Sequence, residues 1–293
     1  MQDINGIIVI NKPKEYTSHD VVAKVKKILN IKKVGHTGTL DPNATGVLPL
    51  LLNTGTKLSK YLIEHDKEYE VTLELGIKTD TADIEGNVIK KEEVNWKKLN
   101  DIEETLNTFL GEQTQIPPIY SAIKVNGKKL YEYARSGQNI NIEPRNIQIY
   151  EIELQKIDKQ KNEINFRVHC SKGTYIRSLC EDIAQKLGTI GYMKELNRIK
   201  VGQFELSQSV TIENIEENKY NAEFWNEHVI TIQNFFSKYP YIELDESKLT
   251  QFLNGVKLTY NKPNGIYQIK VKNTIGIGVI ENKLLKRELI YNE

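Results

Sequence analysis

The sequence predicts an α/β protein with a small β-rich segment at its C-terminal end. Strict alternation in "YEVTLELG" and "INFRVHC" marks two half-buried strands. Between and around them, apolar residues recur at helical spacing in "HDVVAKVKKILN" and "YIRSLCEDIAQKLG". From Tyr239 onward the pattern changes to short apolar segments, "YIELD", "GIYQIKV" and "IGIGVIEN", which read as strands.

In chain order, "GIIVINKP" reads as a strand closing at Lys12 and Pro13. The next stretch puts Val21, Val22, Val25, Ile28 and Leu29 on one helical face, and Thr17 with Asp20 has the spacing of a capping box. "GHTGTLDPNATG", from Gly35 to Gly46, is a Gly/Thr/Pro-rich loop that runs into the uncharged apolar "VLPLLL", which is expected to be buried. In the first alternating strand Tyr69, Val71, Leu73 and Leu75 face one way and Glu70, Thr72 and Glu74 the other. The acidic "TDTADIEG" lacks EF-hand spacing and reads as a solvated turn. Trp96 to Leu110 reads as a helix, and "YSAIKV" with Asn126–Gly127 as a hairpin start before the helix-like "KKLYEYAR". In the later helix Ile176, Leu179, Cys180, Ile183 and Leu187 form the buried stripe, with Thr174 as the expected N-cap and Gly188 as the stop. Residues 207–238 read as a polar, irregular link. The expected division is therefore 1–237, including that link, and 238–293.

At 293 residues the chain can bury one large core and a small second one. Charged residues make up 27% and hydrophobic ones 39%, as in ordinary globular proteins. No apolar run reaches the ~20 residues of a membrane helix, and the start is not a signal peptide. Cys170 and Cys180 match no metal or redox spacing, so reduced thiols and a cytoplasmic location are expected. The five histidines form no ligand spacing either, and no metal site is expected. Net charge is only +1, but its distribution is uneven. Residues 11–35 carry seven lysines against Glu15 and Asp20, and "KVNGKKLYEYARSG" interleaves Lys124, Lys128, Lys129 and Arg135 with Tyr131 and Tyr133. Such patches suit nucleic acid, where cations meet phosphate and rings stack on bases. Solvated helical faces are the plainer alternative.

Asp41 is the single carboxylate of its loop, and Pro42 pushes its backbone toward an extended conformation. It is either a turn residue or a catalytic group aimed by a fixed backbone. Arg177 sits in the first turn of its helix, where the helix dipole disfavours a cation by up to ~1 kcal/mol. Lying beside the apolar stripe, it calls for an anionic partner on the protein or a ligand; snorkelling to solvent is the alternative. If that partner is Asp41, the pair keeps the carboxylate ionised in a pocket that excludes water. Tyr69 opens the apolar face of its strand, as core or as site. Tyr175 flanks the helix edge opposite Arg177, and His36 lies in the loop. "TGTL" is shared with the "DKTGTLT" signature of aspartyl-phosphate enzymes, but Gly35 stands where the nucleophile belongs and His36 where the lysine does. Phosphoryl transfer is excluded.

"GHTGTLDPNATGVLPL" resembles the catalytic motif of the TruB family, the synthases that make pseudouridine at position 55 of tRNA. "GIIVINKPKEYTSHDVV", "KEYEVTLELGIKTDTADIEG", "QIPPIYSAIKVNGKKLYEYARSG" and "VHCSKGTYIRSLCEDIAQKLG" resemble further blocks of that family in the same order. The resemblance covers roughly residues 5–205, and the last fifty or so resemble a PUA-type RNA-binding domain. It implies a pseudouridine-synthase fold, a central mixed sheet flanked by helices. It also implies Asp41 as the catalytic aspartate, Tyr69 as the active-site tyrosine and Arg177 as the partner of Asp41. His36, Tyr175 and Leu196 would line the substrate pocket, with His36 helping to hold the T-loop open. The implied partner is the T-arm stem-loop of tRNA, bound by a monomer with no cofactor and no obligatory protein partner. Two other classes share these features: the catalytic subunit of a guide-RNA pseudouridylation particle, dyskerin-like, and a tRNA-folding chaperone. One departure is Asn197, where the family's "LRR" would place an arginine; Arg198 is retained.

Overall fold

The computed structural model describes residues 4–63, 65–138, 140–271 and 273–291. Its main body is a ten-stranded sheet. Eight strands run in the order Val229–Ile230, Gly6–Lys12, Thr45–Leu52, Gly191–Val201, Lys67–Leu75, Glu163–Cys170, Arg145–Asp158 and Gly111–Gln115. Val34–His36 and Phe204–Glu205 pair beside this path. The sheet is mixed because Thr45–Leu52 and Gly191–Val201 run parallel, while its other strand pairs are antiparallel. Gly46, at φ +100°, makes that contact feasible: a Cβ there would lie 2.2 Å from the carbonyl oxygen of Arg198.

The two alternating strands lie side by side in the centre and bury the predicted face. Tyr69, Val71, Leu73 and Leu75 join Ile164, Phe166 and Val168 in one core with the helix Ile176–Leu187. That helix buries Ile176, Leu179, Cys180, Ile183 and Leu187 and stops at Gly188 with φ +90°. Its N-cap is Tyr175 rather than Thr174, whose hydroxyl instead donates to the Ser171 carbonyl at 2.9 Å. On another part of the sheet the helix Ser18–Leu29 buries Val21, Val25 and Leu29. Its capping box between Thr17 and Asp20 is present, and Lys24, Lys26 and Lys27 are exposed.

Three expectations are corrected. The helix expected over Trp96 to Leu110 is confined to Ile102–Asn107, because Asp101 caps it and the chain before it is held in turns. Residues 207–238 are folded rather than an irregular link. They form the helices Ile212–Glu217, Ala222–His228 and Ile232–Phe236, and burial of Ile212, Ile215, Trp225 and Phe236 ties them to the sheet. The acidic turn is not simply solvated, since Thr79 and Asp83 within it are buried.

The C-terminal segments form a five-stranded sheet in the order Tyr241–Glu243, Gly265–Val271, Asn273–Glu281, Leu284–Ile290 and Leu258–Thr259. Its Ile277 and Leu289 share one apolar cluster with Ile7, Val9, Leu51 and Phe204 of the main sheet.

Candidate active site

The loop bearing Asp41 is held on both sides by the chain's N-terminal segment. Ser18, fully buried at the start of its helix, accepts from the Leu40 N–H at 2.9 Å and donates back to the Leu40 carbonyl. On the other side Pro42 offers its carbonyl to Lys12 Nζ at 2.9 Å and to the Glu15 N–H at 3.0 Å. Lys12 has no exposed surface and also donates to the carbonyls of Pro13 and Tyr16. Burial, against the nearby negative charge of Asp41, brings its pKa down to about 8. Residues 40 and 42 are thus fixed, and the side chain between them has a defined direction.

That direction is toward Arg177. The arginine's Nε lies 3.1 Å from Asp41 Oδ2, and its Nη2 donates to the Tyr120 carbonyl at 3.0 Å. Its Nη1 lies 3.4 Å from Asp83 Oδ2. The second oxygen of Asp83 accepts from the Thr81 hydroxyl at 2.6 Å and from the Glu85 N–H at 3.0 Å. Arg177 is therefore clamped between two carboxylates of different standing. The Asp83 side chain is 8% exposed, whereas that of Asp41 is 37% exposed and faces the opening. Burial raises the Asp41 pKa, Arg177 opposes that shift, and the charge of Asp83 adds to it.

Tyr69 lies opposite Arg198 in the antiparallel pairing of their strands. Burial pushes its pKa up to about 12, with the Arg198 guanidinium opposing, so the phenol keeps its proton at neutral pH. Arg198, 1% exposed, donates from Nε to the Val47 carbonyl and from Nη2 to the Gly38 carbonyl, each at 2.8 Å. It braces the Asp41 loop from beneath.

Between these groups lies a cavity of about 110 Å³, bounded by Asp41, Tyr69, Tyr175, Arg177, Met193 and Leu196. A closed cavity of about 150 Å³ holds a benzene ring, so this space, open on one side, is of the scale of a single six-membered base. Five of the six residues proposed from sequence meet here. His36 does not line this cavity, and it does not sit in a loop. It ends the short strand Val34–His36, opposite Leu50, with its ring edge-on to His19 at 5.2 Å between centroids. Its Nδ1 is buried without a hydrogen-bond partner, and burial lowers its pKa. A neutral ring protonated at Nε2 leaves the smaller penalty, an unmet acceptor rather than an unmet donor.

This arrangement lies in a chain whose residues 26–176 match the TruB family pseudouridylate synthase N-terminal domain, and whose residues 177–256 match the tRNA pseudouridylate synthase B C-terminal domain. The chain belongs to the TruB family. It is 42% identical over 292 residues to the tRNA pseudouridine synthase B of Caldanaerobacter subterraneus subsp. tengcongensis, covering 98% of this chain and 99% of that one. To the tRNA pseudouridine synthase B of Clostridium tetani it is 47% identical over 255 residues, or 87% of this chain and 86% of the other. Among solved structures, the crystal structure of a Cbf5–Nop10–Gar1 complex aligns with a TM-score of 0.72 at 26% identity, over 100% of this chain and 85% of that one.

Sequence reasoning did not single out Lys12, Ser18 or Asp83 in this TruB-family chain. A lysine beside a proline at a strand end carried a weak signal for Lys12. Asp83 carried none beyond its place in an acidic turn. Asn197 bridges two neighbours, donating to Glu70 Oε2 at 3.0 Å and accepting from the Thr45 hydroxyl at 3.2 Å.

Proposed function

We propose that this protein isomerises uridine to pseudouridine in tRNA, at position 55 of the T-loop, with Asp41 as the catalytic carboxylate. The observation that carries this reading is the partly open Asp41 paired with the buried Arg177 at the edge of a base-sized cavity, in a TruB-family chain. The reaction breaks the N1–C1′ bond, turns the uracil and joins it again through C5, with loss of the C5 proton and gain of one at N1. It requires an anionic group beside the sugar and a closed space that retains the free base. A proton acceptor at C5 completes the requirement. Glycoside hydrolysis needs a second carboxylate to activate water. Here Asp83 is turned against Arg177, and Asp41 is the one carboxylate among the residues lining the cavity, which suits a reaction from which water is excluded.

In this reading Arg177 holds Asp41 ionised and oriented. Tyr69 stacks on the base and stands ready to relay a proton, while Tyr175 and Leu196 confine the ring. The uridine enters flipped out of its loop, at a cost of a few kcal/mol of unstacking. Lys124, Lys128, Lys129 and Arg135, with Tyr131 and Tyr133 among them, meet the RNA backbone and bases. His36, outside the cavity, presents its Nε2–H to the opened T-loop. Residues 238–293 form an RNA-binding unit. The protein acts in the cytoplasm, as a monomer and without an obligatory protein partner.

The fold similarity to the Cbf5 complex favours a second reading, the catalytic subunit of a guide-RNA particle. Identities of 42% and 47% to tRNA pseudouridine synthases favour the first. The deciding experiment maps pseudouridine in tRNA transcripts incubated with the purified protein alone. Modification at position 55 is expected; unmodified tRNA, with binding intact, overturns the proposal.

A further inference from the structure

The helix that carries Arg177 has no side-chain cap of its own. Its N-cap residue, Tyr175, lies in an extended conformation at φ −97° and ψ 110°. Tyr175 is fixed instead by Gln115, at the end of the edge strand Gly111–Gln115. The Gln115 Oε1 accepts from the Tyr175 N–H at 2.8 Å, and its Nε2 donates to the Tyr175 carbonyl at 3.0 Å. Only one orientation of the amide satisfies both bonds, because a backbone N–H can only donate and a carbonyl can only accept. Gln115 is 3% exposed, so no water replaces these bonds cheaply. One side chain thus reproduces the paired hydrogen bonds of a strand neighbour at the entrance to the helix.

Gln115 also occupies the neck of a long excursion. It lies opposite Arg145 in the pairing of their strands, and the chain between them carries the basic and aromatic residues from Lys124 to Arg135. Two further links join the start of this excursion to the same helix. Ser178 donates to the Ile116 carbonyl at 2.9 Å, and Arg177 to the Tyr120 carbonyl at 3.0 Å.

We propose that Gln115 is a positioning residue for the isomerisation, fastening the neck of the excursion to Tyr175 and so setting the wall of the pocket and the place of Arg177. Gln115 touches no reacting atom in this role; it acts through Tyr175 and the first turn of the helix. The inference rests on reading the cavity as the uridine site.

The test is Gln115→Met, which keeps the length and flexibility of the side chain and removes both hydrogen bonds. Gln115→Glu is the second variant, retaining the acceptor for the Tyr175 N–H. Each is measured by single-turnover conversion at saturating enzyme, by tRNA binding and by thermal unfolding, well below the melting transition. For Gln115→Met the conversion rate is expected to fall by roughly 10- to 100-fold, the scale on which small misplacements act, with tRNA affinity little changed. Gln115→Glu should fall at least as far, since its buried carboxylate keeps the bond from the Tyr175 N–H but sets a second acceptor against the Tyr175 carbonyl. A wild-type rate in folded Gln115→Met overturns the inference. So does a loss that appears only as the assay approaches the melting temperature, since that marks a structural role alone. If wild type itself forms no pseudouridine, the failure belongs to the proposed function instead.

Discussion

Asp83 holds Arg177 from the side away from the cavity, with Oδ2 3.4 Å from Nη1 and both side chains almost fully buried. Breaking a buried ion pair from one side costs about 3–5 kcal/mol when the remaining charge is left unpaired. Arg177 retains Asp41 as a partner, which places Asp83→Asn toward the lower end of that range. The variant should melt at a lower temperature and turn over at least tenfold more slowly, because its guanidinium is no longer held from behind. A calorimetric scan beside a tRNA modification assay checks both. An unchanged melting temperature would show that Thr81 and Glu85, rather than charge, account for the burial of Asp83.

With Asp41 in the proposed catalytic role, its protonation would set the acid limit of activity. An unperturbed aspartate titrates near pH 3.9, and burial moves this one upward. If the ionised form is the active one, as proposed, activity should be lost as pH falls through a value above the ordinary aspartate range. Asp83 contributes to the upward shift. In the residual activity of Asp83→Asn, the acid limb of kcat/KM should therefore move to lower pH. A limb moving the other way would mean that Arg177, once freed, no longer supports the Asp41 charge.

What the sequence revealed depended on the range of each signal. The strands around Tyr69 and Phe166 alternate, and the helix after Tyr175 carries its stripe within one segment, so periodicity exposed them. Arg177 was unusual in its local setting, a cation in a first helical turn; Asp41, a lone acid before proline, and Tyr69, a tyrosine on an apolar face, were ambiguous there and were marked as site residues by the resemblance to the TruB family. Asp83 is ordinary in its turn, and its burial comes from tertiary contacts, the ion pair with Arg177 and the bridge to Met193. Lys12 is buried because three carbonyls converge on its ammonium group, a fact of tertiary structure. The three helices within residues 207–238 are five to seven residues long, too short for a periodic pattern to emerge. Their caps at Thr211, Asn221 and Thr231 were the available signal.

Tyr69→Phe preserves the ring and removes the hydroxyl. The phenol is neutral at working pH, with its pKa at about 12, so the change removes no charge. If the hydroxyl relays a proton, turnover should drop by ~10²-fold or more, while tRNA binding stays close to wild type. Full turnover in this variant would confine Tyr69 to packing and stacking.

Removal of residues after Ser237 tests the C-terminal sheet. No candidate catalytic residue lies there, so kcat at saturating RNA should remain within about tenfold where the protein stays folded, and KM should rise. The contact of Ile277 and Leu289 with Ile7, Val9 and Phe204 adds a second consequence. Truncation uncovers an apolar face of the main sheet and should lower the melting temperature and promote association. Light scattering and thermal unfolding report on this directly. A truncated protein as stable and monodisperse as the full chain would show that the interface is not needed to cover that face.

Asp41→Asn separates the chemistry from the architecture. Asparagine matches the shape of aspartate, and the bonds that place this loop come from the backbone of Leu40 and Pro42, held by Ser18 and Lys12. The loop should therefore keep its course. The folded-state pKa of Asp41 is raised, so its stabilising contribution belongs to the protonated form below the unfolded value, and the ionised form works against folding above the folded value. At neutral pH the variant loses both the ion pair with Arg177 and the cost of the buried charge, two effects of opposite sign, so it should melt close to wild type. Binding should also persist, since tRNA affinity comes mainly from phosphate and stacking contacts. If Asp41 supplies the anionic oxygen beside the sugar, pseudouridine formation should become undetectable. A chemical assay for pseudouridine, a gel-shift assay and a melt on one preparation test all three. Substantial turnover in the variant, after mass spectrometry has excluded deamidation back to aspartate, would remove Asp41 from the centre of the mechanism.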